Sequence, residues 1–88
     1  MRYTIRMKPI SYTKAAIKTL KRMPRNTSER IVAKIEQYAA DPASLANNVT
    51  ELVGREGIRL RVGDWRVIMR DGEVLAVLEV GARGGIYE

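Results

Sequence analysis

GIRLRVGDWRVIMRDGEVLAVLEV, residues 57–80, is the stretch that decides the fold. Its period is two: Ile58, Leu60 and Val62 alternate with Arg59 and Arg61, and Trp65, Val67 and Met69 alternate with Arg66, Ile68 and Arg70. Such alternation marks strands with one buried and one open face. Gly63-Asp64 puts glycine first in a two-residue loop, as a type II′ hairpin turn requires. Asp71-Gly72 is a type I′ signal, and EVLAVLEV after it reads as a near-continuous apolar strand suited to the middle of a sheet. Tight turns set register, and register sets which side chains share a face. The first turn pairs Val62 with Trp65, Arg61 with Arg66 and Leu60 with Val67. The second pairs Arg70 with Glu73, Ile68 with Leu75 and Arg66 with Val77. One face is then the core side: Ile58, Leu60, Val62, Trp65, Val67, Met69, Val74, Ala76, Leu78 and Val80. The other carries Arg59, Arg61, Arg66 and Arg70, with Arg83 at the same parity beyond the last strand.

Upstream, residues 2–8 alternate Tyr3, Ile5 and Met7 with Thr4, Arg6 and Lys8, which predicts a half-buried strand closed by Pro9. Ser11 is the expected N-cap of a helix over 12–22, with Tyr12, Ala16, Leu20 and Met23 on one stripe, stopped by Pro24. Asn26 followed by Glu29 resembles a capping box and predicts a second helix to about Ala40, burying Ile31, Ile35 and Tyr38 with Val32 and Ala39. Asp41-Pro42 ends it. Residues 41–55 read as a long connection in which Leu45, Val49 and Leu52 tuck down. The order strand–helix–helix–strand–strand–strand predicts an α+β fold, a mainly antiparallel sheet with a helical hairpin on one face. The 88 residues leave room for a single domain, 1–88.

Composition narrows the chemistry. Apolar residues make up 45% and charged residues 30%, which is ordinary globular material. There is no apolar run long enough to span a bilayer, and MRYTIRMKPIS lacks the apolar stretch of a signal peptide, so the expectation is a soluble cytoplasmic protein with no membrane role. With no cysteine and no histidine, thiolate chemistry and the commonest metal ligand are excluded; no metal and no cofactor is expected. The net charge is +6, unevenly placed: residues 1–40 hold ten Lys or Arg against two Glu, residues 41–88 six Arg against eight acids. Every cation after Lys34 is arginine, whose planar fork fits phosphate and does not deprotonate.

Arg61 and Arg66, placed opposite one another, should repel. Arg70 has Glu73 as a ready neutraliser and reads as a structural salt bridge. The arginine face reads either as a solvated surface or as a concave patch that binds phosphates, to which Tyr87 would add a stacking ring. The lysine stripe of the first helix, Lys14 and Lys18 foremost, reads first as a solvated face and second as an extension of a nucleic-acid track.

The run GIRLRVGDWRVIMRDGEVLAVLEVGAR…IY resembles the signature of the RelE/ParE toxin superfamily, with its G-x-x-R-x-R-x-G-x-[YW]-R-[VL] hairpin and V-G-x-R…[VI]-Y ending. The N-terminal strand, helical hairpin and L…NNV..L.G connection are similar too, so the resemblance spans nearly the whole chain. It implies a β-α-α-β-β-β toxin of a type II toxin–antitoxin system, neutralised by a cognate acidic antitoxin and meeting operator DNA only indirectly, through that antitoxin. In the RelE branch the implied partners are the ribosome and mRNA, and the implied activity is metal-independent cleavage by attack of the 2′-OH on the neighbouring phosphate. The resemblance assigns Arg59, Arg66, Arg83 and Tyr87 to the catalytic site and Arg61 to the RNA backbone. The chain departs from the pattern at Ala82, where some members carry histidine or lysine, and at Gly57 and Arg59, where RelE-like members can carry lysine. Arginine is a poor base; Glu79 reads as a candidate base or, more plainly, as a buried acid balancing Arg61 or Arg66. The alternatives are a ParE-like toxin that inhibits DNA gyrase without nuclease activity, and an inactive toxin-like module that only binds an antitoxin.

Overall fold

The computed structural model describes residues 7–84. Its order is β1 (Ile10–Tyr12), α1 (Lys14–Arg22), α2 (Arg25–Ala40), a 3₁₀ segment (Pro42–Asn48), β2 (Val49–Glu51), β3 (Ile58–Val62), β4 (Trp65–Asp71) and β5 (Leu75–Ala82). The strands form one sheet in the order β1-β5-β4-β3-β2, antiparallel except where β1 runs parallel to β5. The α+β reading is therefore correct, and the described residues include one strand it did not expect, β2. β2 lies inside the stretch read as a connection; three residues are too few to show a period, and the strand exists because its backbone pairs with β3, Thr50 opposite Arg59.

The start of the chain differs from expectation. Residues 2–6 of the predicted first strand lie outside the described residues; Met7 and Lys8 are not in a strand, and the first described strand follows Pro9 instead of ending there. Ser11 does not cap α1, because its backbone sits in the sheet opposite Ala76. Thr13 is the cap: its hydroxyl accepts from the Ala16 N–H (3.1 Å) and donates to the Leu78 carbonyl of β5 (2.6 Å). One side chain thus closes the helix and fastens it to the sheet. The capping box at Asn26 is absent as well. The helix begins two residues earlier, with Pro24 at the cap position; the Pro24 carbonyl takes the Thr27 and Ser28 N–H groups, and Glu29 pairs with Arg25 across one turn (3.7 Å).

The core lies between the helices and one face of the sheet: Ala16, Ile31, Ile35, Tyr38, Ala39 and Leu45 from the helical layer against Leu60, Val62, Val67, Met69, Leu75, Val77 and Val80. The β3–β4 hairpin has the expected register, Val62 opposite Trp65 and Arg61 opposite Arg66, around a turn in which Gly63 has φ +58°. The β4–β5 hairpin does not. Asp71 pairs with Leu75, leaving Gly72–Val74 as the loop, and a bulge lets Met69 face Val77 while Ile68 faces Glu79. The tighter turn would have put Leu75 and Val77 on the arginine face and Ala76 in the core. The longer loop and the bulge send Leu75 and Val77 inward instead, keep Val80 in the core, leave Ala76 and Leu78 half-buried, and expose Val74 (44%). Arg70 accordingly lies opposite Ala76, and no ion pair joins it to Glu73. Asp71, at the strand end, is held by Tyr38, whose hydroxyl donates to its carboxylate (3.0 Å), and by Lys8. Burial, with the Asp71 hydrogen bond and charge behind it, pushes the Tyr38 hydroxyl up to about 12.

Candidate nucleic-acid interface

The sheet face away from the helices is the open one, and two cross-strand rows define it. Thr50, Arg59, Ile68 and Glu79 lie side by side across β2, β3, β4 and β5; beside them run Arg61, Arg66 and Gly81. Arg59, Arg61 and Arg66 line a cleft of about 120 Å³ with Asn47, Asn48 and Thr50. Its walls are guanidiniums, amides and a hydroxyl, so it offers hydrogen-bond donors and three positive charges. Such forks grip phosphate oxygens in pairs.

Arg66 is held in place. Its Nη1 donates to the carbonyls of Gly63 and Trp65, each at 3.0 Å, which draws the guanidinium toward the β3–β4 turn. Arg61, its neighbour in register, is exposed, and its carbonyl accepts from the Asn48 amide (3.5 Å). Two like charges directly opposed cost stability, and the turn carbonyls offset part of that cost on the Arg66 side. Asn47, Asn48 and Thr50 belong to this cleft although no periodicity points to them. The signal was the polar Asn-Asn pair itself, just ahead of a strand too short to be recognised.

Ile68 is fully buried on this open face. Arg55, at the β2–β3 loop, pairs with Glu79 of β5 (3.9 Å), and a contact between those elements must pass over β4 where Ile68 stands. Glu79 is thus balanced by Arg55 rather than by Arg61 or Arg66, and it is half-exposed rather than buried. Gly57 closes the same loop with φ +133°, and a Cβ there would sit 2.9 Å from the Met69 carbonyl. The position at which RelE-like members can carry a lysine has no room here for any side chain.

The remaining predicted site residues are spread out. The Arg83 N–H donates to the Asp64 carbonyl (2.7 Å), so pairing runs on past β5 and brings Arg83, exposed, to the β3–β4 turn that also holds Arg66. Lys14 and Lys18 are exposed on α1, two residues either side of buried Ala16, and so point away from the sheet. The helical layer lies on the other side of the sheet from the cleft, and the structure does not bring these lysines to the arginines. Tyr87 lies outside the described residues.

Three solved structures share this architecture. A chain of the toxin–antitoxin complex RelBE2 from Mycobacterium tuberculosis aligns with a TM-score of 0.75 at 16% identity, covering 91% of this chain and 95% of that one. A chain of the archaeal RelE–RelB complex from Pyrococcus horikoshii gives 0.72 at 21% identity, covering 92% and 100%. A mutant of the E. coli toxin RelE in its free state gives 0.70 at 17% identity, covering 88% and 84%. At these identities the likeness defines the fold, that of the RelE toxins. No curated protein matches in sequence. The family pattern described as the ParE toxin of the parDE type II toxin–antitoxin system matches residues 10–87, and the chain belongs to that family, within the RelE/ParE superfamily of type II toxins.

Proposed function

We propose that this toxin cleaves mRNA on the ribosome by metal-independent attack of a 2′-OH on the adjacent phosphate, and so inhibits translation. The observation that carries the reading is the convergence of Arg59, Arg61 and Arg66, with Asn47, Asn48 and Thr50, on one small cleft. In the step, the O2′–P bond forms and the P–O5′ bond breaks; one proton leaves the attacking hydroxyl and another reaches the departing O5′. Negative charge builds on the phosphate oxygens, where fixed guanidiniums are worth most. Arg66, already oriented by two carbonyls, holds the scissile phosphate; Arg83 approaches from the same turn, and Tyr87 stacks on a base or orients a hydroxyl. Arg59 completes the catalytic group beside them, and Arg61 holds the flanking backbone. The cleft holds arginine, asparagine and threonine but no histidine or carboxylate to act as a base, so proton transfer falls to groups that the ribosome or water supplies.

Programmed 70S ribosomes, incubated with the toxin and mapped for mRNA ends, test the reading: truncated message bearing a 5′-hydroxyl end is expected, and intact message at excess toxin refutes it. A second reading, inhibition of DNA gyrase without cleavage, is favoured by the match to the ParE family over residues 10–87 and by the lack of histidine. Loss of gyrase supercoiling at stoichiometric toxin would establish it. In either case the partner is an acidic antitoxin in the cytoplasm. A hollow of about 520 Å³ between the helices, walled by Tyr12, Ile17, Leu20 and Val32 and rimmed by Lys21 and Arg25 against a single acid, Glu36, suits an amphipathic acidic segment that folds on contact. Operator DNA is reached only through that antitoxin. No helix of the described residues is long and apolar enough to cross a membrane.

A further inference from the structure

The arginine cleft does not end at Arg59. Thr50 and Arg59 also wall a second hollow of about 360 Å³, lined further by Leu52, Val53 and Arg55 of the β2–β3 hairpin and by one acid, Glu51, which the two arginines outweigh. Its chemistry differs from that of the cleft, because it adds two branched aliphatic side chains to the guanidiniums. The hairpin tip is well anchored. The Leu52 N–H donates to the Gly57 carbonyl (3.0 Å), closing the loop, and the Arg55–Glu79 pair holds the tip over the open face. Val53 stands at the lip with 98% of its surface exposed, contributing nothing to the core.

We propose that this hollow seats an unstacked nucleobase of the same single strand whose phosphate occupies the arginine cleft. The inference rests on reading that cleft as a phosphate site. Two hollows that share Thr50 and Arg59 hold adjoining parts of one ligand, and in a single-stranded nucleic acid the neighbour of a phosphate is a nucleoside. A phosphate needs only cations and donors; a base needs a flat, partly apolar wall, and guanidinium planes stack on it as aromatic rings do. Leu52 and Val53 supply the apolar surface and Arg55 and Arg59 the planes. The subsite would select for base over bare backbone without choosing strongly among bases, since every base has a π-face.

The test uses the whole chain and two fluorescein-labelled ribose-phosphate hexamers of equal charge, oligocytidine and its base-free counterpart, followed by fluorescence anisotropy at low salt. The wild type should bind the base-bearing strand roughly 5- to 150-fold more tightly, the range that stacking of one base supplies. Val53→Gly with Arg55→Gln should reduce that ratio at least about fivefold, at the low end of the same range. Val53 lies outside the core, so unchanged thermal melting serves as the folding control. Equal binding of both strands, both weakened by Arg61→Gln with Arg66→Gln, overturns the base subsite and leaves the phosphate cleft standing. An undiminished ratio in the hairpin variant overturns it too, by putting the base elsewhere. Failure of both strands to bind overturns the subsite and the cleft together.

Discussion

Arg61→Gln should make this protein more stable and less able to hold RNA. Arg61 and Arg66 are direct cross-strand partners, and like charges so placed cost about 0.2–1 kcal/mol. The lower half of that range applies, because Arg61 is exposed and Arg66 is drawn toward the turn by two carbonyls. Glutamine keeps the length of the chain and removes the charge, so a gain of about 0.2–0.5 kcal/mol is expected, from the same range. For a domain of this size that is about 1–4 °C in Tm. The gain should be present at low ionic strength and vanish near 1 M salt, where screening acts within about 3 Å. A lost hydrogen bond to a charged phosphate, about 1.5–3 kcal/mol, should weaken RNA binding by roughly 10- to 150-fold. Thermal melts at two salt concentrations, beside anisotropy titrations with a short RNA, measure both quantities. A Tm that falls, or that rises equally at high salt, would refute the repulsion; unchanged RNA affinity would refute the assignment of Arg61 to the phosphate track.

Three further outcomes follow from the fold. Gly57→Lys forces a side chain into a left-handed backbone against the Met69 carbonyl and should cost about 1–3 kcal/mol in urea denaturation; an unchanged midpoint would show the loop to be pliable. Thr13→Val removes both the helix cap and the bond to β5 and should cost about 1–2 kcal/mol by the same method. Tyr38→Phe should cost about 1 kcal/mol at neutral pH. Its hydroxyl ionises near 10 when unfolded and about 12 when folded, so the unfolded chain releases its proton first as pH rises. The stability from this group is complete below pH 10 and is lost on the way to about 12. The difference between wild-type and Tyr38→Phe stability should shrink across that window and stay constant below it.

Much of this was legible in the sequence. The Gly63-Asp64 turn specified the β3–β4 pairing because only one residue there needs positive φ and glycine supplies it. The helices showed through their buried stripes, and the shared face of Arg59, Arg61 and Arg66 followed from alternation. The β4–β5 register was hidden for an equally physical reason. A local turn signal at Asp71-Gly72 competed with the burial of Leu75 and Val77 and with Tyr38 and Lys8 on Asp71, and those tertiary contacts prevailed. The N-cap was misread because Ser11 and Thr13 are equivalent locally; only the neighbouring β5 separates them. Asn47, Asn48 and Thr50 could not be placed in a cleft until β2 was known to exist.

The strand order carries a consequence for how the toxin comes into being. β5, the latest of the described strands to be synthesised, lies between β1 and β4, and α1 is fastened to it through Thr13. An emerging chain can close the β3–β4 hairpin early, but β1 and α1 wait for a partner about 65 residues downstream. Contacts so far apart in the chain form late, so a half-made molecule has no finished sheet on which to display its arginines. The arginine face is thereby completed only once synthesis has passed Ala82.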